Sequence, residues 1–146
     1  MLILCLPLHR PLAVGAIAWL VLLEPVFAAK PVWTTVAQSN DKRGQIEVDR
    51  NSVVRDREKV RVMLRITTPN EMPVGPSRTV SSRFSLVLIE FECPTRKARY
   101  LKTTWLPSRN SNQVLSEEGP YEEYEVLLGT PISRALTYSC NRAAAK

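Results

Sequence analysis

Residues 59–67 read Lys-Val-Arg-Val-Met-Leu-Arg-Ile-Thr, an unbroken alternation of period two. Val60, Val62, Leu64 and Ile66 fall on one face, and Arg61, Met63, Arg65 and Thr67 on the other. An extended strand separates the two sets, because successive strand side chains point to opposite sides. One apolar and one wet face belong to an antiparallel sheet that needs cover on a single side. The neighbouring segments agree. Residues 32–37 are rich in β-branched and aromatic side chains, and residues 45–49 (QIEVD) alternate, so each predicts a strand. Residues 83–93 (RFSLVLIEFEC) are apolar at nearly every position, which predicts a central strand covered on both sides. Residues 96–106 supply its hairpin partner. Residues 69–82 carry three prolines and a glycine and predict a long exposed loop. Residues 107–113 predict another loop, and 114–129 are ambiguous between a weak edge strand and irregular chain.

A helix is expected near the C-terminus. Thr130 is a good N-cap, Pro131 suits the first helical position, and Ile132, Ala135, Leu136 and Cys140 fall near one face. Two to three turns are marginal alone in water, so this helix needs fastening.

The first 28 residues stand apart from the fold. His9 and Arg10 precede an apolar run from Leu12 to Leu23, Pro25 breaks it, and Val26-Phe27-Ala28 resembles a signal-peptidase site. The expected organisation is a signal peptide over 1–28, cut after Ala28 or Ala29, and one domain over 29–146. Cys5 lies before the apolar run, where no lipoprotein cysteine lies, so no lipid tether and no stable membrane anchor are expected after cleavage. The compartment is then periplasmic or extracellular, including the cell surface. Cys5 and the single histidine, His9, leave with the signal, and Cys93 and Cys140 remain. An even, minimal cysteine count in an exported chain reads as one disulfide. Closing a loop of about 46 residues is worth roughly 4 kcal/mol by chain entropy.

This inventory excludes much chemistry. Without histidine, imidazole catalysis and most zinc sites disappear, and two distant cysteines hold no metal alone. No glycine-rich phosphate loop or nucleophile elbow is present. Glu90 and Glu92, two apart on a strand, would sit about 7 Å from each other, a spacing glycosidases use. Salt-bridged surface charge is the simpler reading. We therefore expect no enzyme, no catalytic residue, no metal and no cofactor.

The net charge of +6 would suggest nucleic acid in a cytosolic protein, but export removes that partner. The charge is unevenly spread. Residues 95–109 hold Arg96, Lys97, Arg99, Lys102 and Arg109 with no acid, and 110–129 hold five glutamates with no base. Arg96, Lys97, Arg99, Tyr100 and Lys102 are the candidate binding residues, for an acidic protein or polyanion, with Trp105 adding contact area. Three readings stay open here: external docking, pairing of the two patches within the fold or across a homodimer, and plain solvated charge.

Taken in order, VWTTVAQS, QIEVDRNSVVRDREKVRVMLRI, LIEFECPTRKARYL and ALTYSC resemble the surface-adhesin E family of exported bacterial domains. The matching positions include Trp33, Asp49, Ser52, Cys93 and Cys140, and the resemblance spans residues 31–141. It implies an α+β fold: a small antiparallel sheet of about five to six strands, with a C-terminal helix on one face tethered by Cys93–Cys140. It also implies a non-enzymatic binding module for protein partners, host extracellular-matrix proteins among them. The alternative is a periplasmic structural or interaction domain of the bacterial envelope with no host ligand.

Overall fold

The computed structural model describes residues 30–145, so the expected signal peptide and cleavage point, with Cys5 and His9, lie outside the described residues. The chain runs β1 (Trp33–Gln38), β2 (Gln45–Asp49), β3 (Val54–Asp56) and β4 (Lys59–Val74). Then come β5 (Val80–Glu92), β6 (Lys97–Leu106), β7 (Ser116–Glu118), β8 (Tyr124–Glu125) and the helix α1 (Pro131–Ala144). All eight strands form one sheet in the order β1-β2-β4-β5-β6-β7, with β3 pairing β4 and β8 pairing β6. Every pairing is antiparallel. The strands beyond the expected five to six are the two- and three-residue pieces β3, β7 and β8.

The alternation of β4 sets the two faces of the sheet. Cross-strand partners share a face, so Val62 aligns with Ile89 and Leu64 with Val87 and Val48. This inner face is the core: Val48, Val60, Val62, Leu64, Ile89 and Phe91 are fully buried. The helix lies on it, chiefly across β1, β2 and β4, and contributes Ala135, Leu136 and Ala143.

Two expectations are corrected. The proline-rich stretch 69–82 is not a loop. β4 and β5 continue past the sheet as a two-stranded arm in which Met72 pairs with Ser82, Pro73 with Ser81 and Val74 with Val80. Among the described residues neither arm strand pairs with a second neighbour there, so a proline costs no ladder bond on its free side. The register slips between Thr67 and Met72, which absorbs Pro69. The turn at the tip uses Gly75 at φ 81° and Arg78 at φ 52°. Likewise, β5 is covered on one side only. Phe84, Leu86 and Leu88 point away from the helix and are half-buried, shaded by cross-strand neighbours such as Met63, Arg65 and Lys102 rather than by a second layer.

The β2–β3 turn explains two of the family-like positions. The Asp49 carboxylate accepts from the N–H groups of Val32 (2.9 Å) and Asn51 (3.0 Å). The Ser52 hydroxyl donates to the Asp49 carbonyl (2.9 Å) and accepts from the Met63 N–H (2.8 Å). Aspartate and serine here lock β1, β2 and β4 together through the backbone.

The helix starts as its cap predicts. Thr130 Oγ1 accepts from the Ser133 N–H at 3.3 Å and donates to the Leu127 carbonyl at 2.8 Å. It runs fourteen residues rather than two to three turns, because the alanine-rich end after Cys140 continues it. Thr130→Ala is expected to lower stability by about 1 kcal/mol. Urea denaturation checks this; a loss below a few tenths would mean the cap is dispensable. Cys93, just past β5, bonds to Cys140 in the helix with the Cα atoms 5.9 Å apart.

Candidate functional site

The outer face of the sheet, opposite the helix, gathers charge around two buried glutamates. Register places Glu90 of β5 between Arg61 of β4 and Arg99 of β6. Glu90 is 4% exposed. Its carboxylate accepts from Arg61 Nε (2.8 Å), Lys59 Nζ (3.1 Å) and Arg99 Nη2 (3.3 Å). Burial alone would push this carboxyl up, but the hydrogen bonds and charges of Arg61 and Lys59 outweigh it and hold it below its ordinary value.

The second centre is Glu47 on β2. Arg65 grips it with two hydrogen bonds of 2.7 and 3.0 Å, and Arg109 adds one of 2.6 Å. The Arg65 guanidinium also lies over the Trp33 ring, 4.5 Å from its centroid, which fixes its plane. Desolvation again acts upward on the carboxyl, and Arg65, Gln45 and Arg109 bring it below normal. A general acid needs a raised pKa, and the surroundings of Glu90 act in the opposite direction. Among the described residues no group of three or more His, Cys, Asp or Glu is placed to hold a metal ion.

The sequence candidates divide between places. Lys97, Arg99 and Lys102 stand on the outer face. Lys97 pairs with Glu123 at 3.0 Å and Lys102 with Glu117 at 2.7 Å, so the acidic stretch folds back along the basic strand. Both pairs are solvent-exposed and contribute little stability. Tyr100 faces the other way, because the register slips between Leu88 and Ile89 and leaves Leu101 as the extra residue: Lys102 aligns with Leu88 and Tyr100 with Ile89. Tyr100 stacks on Tyr124, 5.7 Å between centroids, on the helix side, and Trp105 is on that side too. Arg96 sits in the turn before β6 at φ 55°. It lines a cleft with Leu128 and Thr137, and its Nε and Nη2 are enclosed without a hydrogen-bond partner.

Sequence reasoning missed Lys59, Arg61 and Glu90 as one cluster. A signal existed: Glu90 is an acid inside an apolar strand, and such a residue requires cations on the adjacent strands.

By architecture, then, this is a small disulfide-tethered domain: one antiparallel sheet, a C-terminal helix on its inner face and fixed charge on its open outer face. The family model described as surface-adhesin protein E matches residues 33–141. The chain belongs to that family, and membership suggests an adhesin-like role, a protein partner and a place at the cell surface. No curated protein and no solved structure matches the chain significantly. Among the described residues no helix is long and apolar enough to cross a membrane.

Proposed function

We propose that this protein is an exported, non-enzymatic binding module whose outer sheet face docks an acidic surface of a protein partner, a host extracellular-matrix protein. The Glu90 cluster carries this reading. One buried carboxylate fixes Lys59, Arg61 and Arg99, whose side chains remain 42%, 56% and 43% exposed. Asp56 and Glu92 stand beside Lys59 by register, so what the cluster offers is guanidinium N–H donors toward solvent, held at strand spacing. Guanidinium groups prearranged in this way suit carboxylates on a partner and lose little entropy on docking. Lys97 and Lys102 continue along β6, each paired with a glutamate, whereas Arg96 and Tyr100 of the candidate set lie away from this face. Family membership supports a protein as the partner class.

Binding of the folded domain to immobilised matrix proteins is expected to weaken steeply from about 0.1 to 1 M salt, as the Debye length shrinks from about 10 to 3 Å. Salt-independent binding would remove the outer face from this role. Protease added to intact cells is expected to digest the protein. Full protection would move it to the periplasm, serving the cell's own envelope.

A further inference from the structure

The two ends of the sheet are built differently. At one end stand β7 and β8, three and two residues long and bearing Glu117, Glu118 and Glu125. At the other stands β1: six residues, Trp-Thr-Thr-Val-Ala-Gln, with no charge and no proline. Short or charged edges resist pairing with another chain, and an uncharged edge rich in β-branched residues is open to it.

The β1–β2 ladder determines which backbone groups are free. The Arg50 N–H donates to the Val32 carbonyl at 2.9 Å, and Thr34 aligns with Val48. Residues of an antiparallel strand alternate between bonding to the neighbour and turning away from it. Val32 and Thr34 therefore bond toward β2, and the N–H and C=O groups of Trp33 and Thr35 point out of the sheet. Among the described residues no strand lies beyond β1 to receive them. The register shift between Thr35 and Ala37 ends this open stretch, since a bulge bends the strand.

Helix α1 turns the edge into a groove. A cleft of about 500 Å³ has Thr34, Thr35 and Val36 of β1 and Arg134, Tyr138 and Asn141 of the helix in its walls. A strand edge of this kind can take up an extended peptide: the edge bonds the main chain, and flanking side chains select alternate residues. Charge sets the kind of residue selected. β1 and α1 together carry Arg134 and Arg142 and no acid. Arg96 and Arg134 line the cleft, no carboxylate does, and neither arginine forms a salt bridge among the described residues. Pairing β1 with β1 of a second copy would set two acid-free edges and their arginines side by side, which opposes self-association. An acidic segment would instead meet them.

We propose that β1 takes up an extended, acidic segment of a protein partner as an added strand, paired with Trp33 and Thr35 and lying along α1. This surface is at the sheet edge, apart from the Glu90 cluster, and does not rest on the outer-face reading.

Fluorescence anisotropy of the folded protein with a labelled hexapeptide of alternating valine and aspartate tests this. One comparator is the same peptide N-methylated at every residue, which keeps its side chains and loses its main-chain N–H groups. The other is the valine–lysine counterpart. The acidic peptide is expected to bind saturably, with both comparators about tenfold weaker or more. Thr35→Pro removes an outward N–H without breaking a bond to β2, and Arg134→Glu reverses an exposed helix charge. Each is expected to lose about tenfold, and a Lys59→Ala/Arg61→Ala/Arg99→Ala variant to bind as wild type. NMR shifts on the unaltered protein should concentrate at the Trp33 and Thr35 amides and at Arg134, Tyr138 and Asn141, which keeps the test independent of how the variants fold. No saturable binding, equal binding of either comparator, or loss of binding in the triple variant overturns the proposal. So does a dimer of the protein that Thr35→Pro dissociates, because the edge would then belong to a second copy.

Discussion

Reducing the Cys93–Cys140 disulfide is expected to remove about 4 kcal/mol of stability, a large share of the roughly 5–15 kcal/mol typical of a domain. The bond joins residues 47 positions apart, so the reduced unfolded chain regains the entropy of a long open loop. Its loss falls mainly on the helix. Fourteen residues are marginal in isolation, and α1 is held otherwise by a narrow strip centred on Ala135, Leu136 and Ala143. Urea denaturation with and without reductant measures the total. Hydrogen exchange locates it: residues 131–144 should lose protection before β4 and β5. A reduced protein as stable as the oxidised one would show that packing alone retains the helix.

Arg65→Ala is expected to cost about 3 kcal/mol, at the lower end for breaking a buried pair because Arg109 remains. Arg65 is 14% exposed and Glu47 5%, so the variant leaves a buried carboxylate with Arg109 as its one cationic partner, beside Gln45. The effect should depend on pH. Folding holds the Glu47 and Glu90 carboxyls below their ordinary value of 4.5, so these groups stabilise the wild type above about pH 4.5 and lose that contribution as pH falls through their lower folded values. In the variant, acid instead relieves Glu47 by protonating it. The stability gap between the two proteins should therefore be widest near neutral pH and narrow toward pH 3. Adding Glu47→Gln to Arg65→Ala should restore part of the loss, because the two changes act on one contact. A gap constant with pH would mean that Arg65 acts through its packing on Trp33 alone.

Val60, Val62, Leu64 and Ile66 revealed their face in the sequence because strand periodicity is local, and Thr130-Pro131 marked the helix start for the same reason. The cysteine pair was legible because the chain after residue 28 holds two cysteines and no histidine. The arm was not. Pro69, Pro73 and Pro76 signal a loop, and only pairing across the hairpin shows that Pro69 and Pro73 stand on a strand of the arm and Pro76 in the turn at its tip. Nor was the division of the candidate residues. Strict alternation cannot register an extra residue at Leu101, yet it is this bulge that puts Lys102 outside and Tyr100 inside. The Glu90 cluster joins three strands, so residues near one another in the sequence do not display it. Glu117 and Glu123 facing Lys102 and Lys97 answered which of the charge readings holds for those four residues, again through a long-range fold-back.

The most direct test of the outer face as a docking surface is solid-phase binding to matrix proteins by wild type and by a Lys59→Glu/Arg61→Glu/Arg99→Glu variant, with folding of both checked by circular dichroism. Charge reversal around Glu90 is expected to weaken binding by about tenfold or more, since rim and surface charges govern encounter and register. A folded variant that binds as well as the wild type would contradict the account.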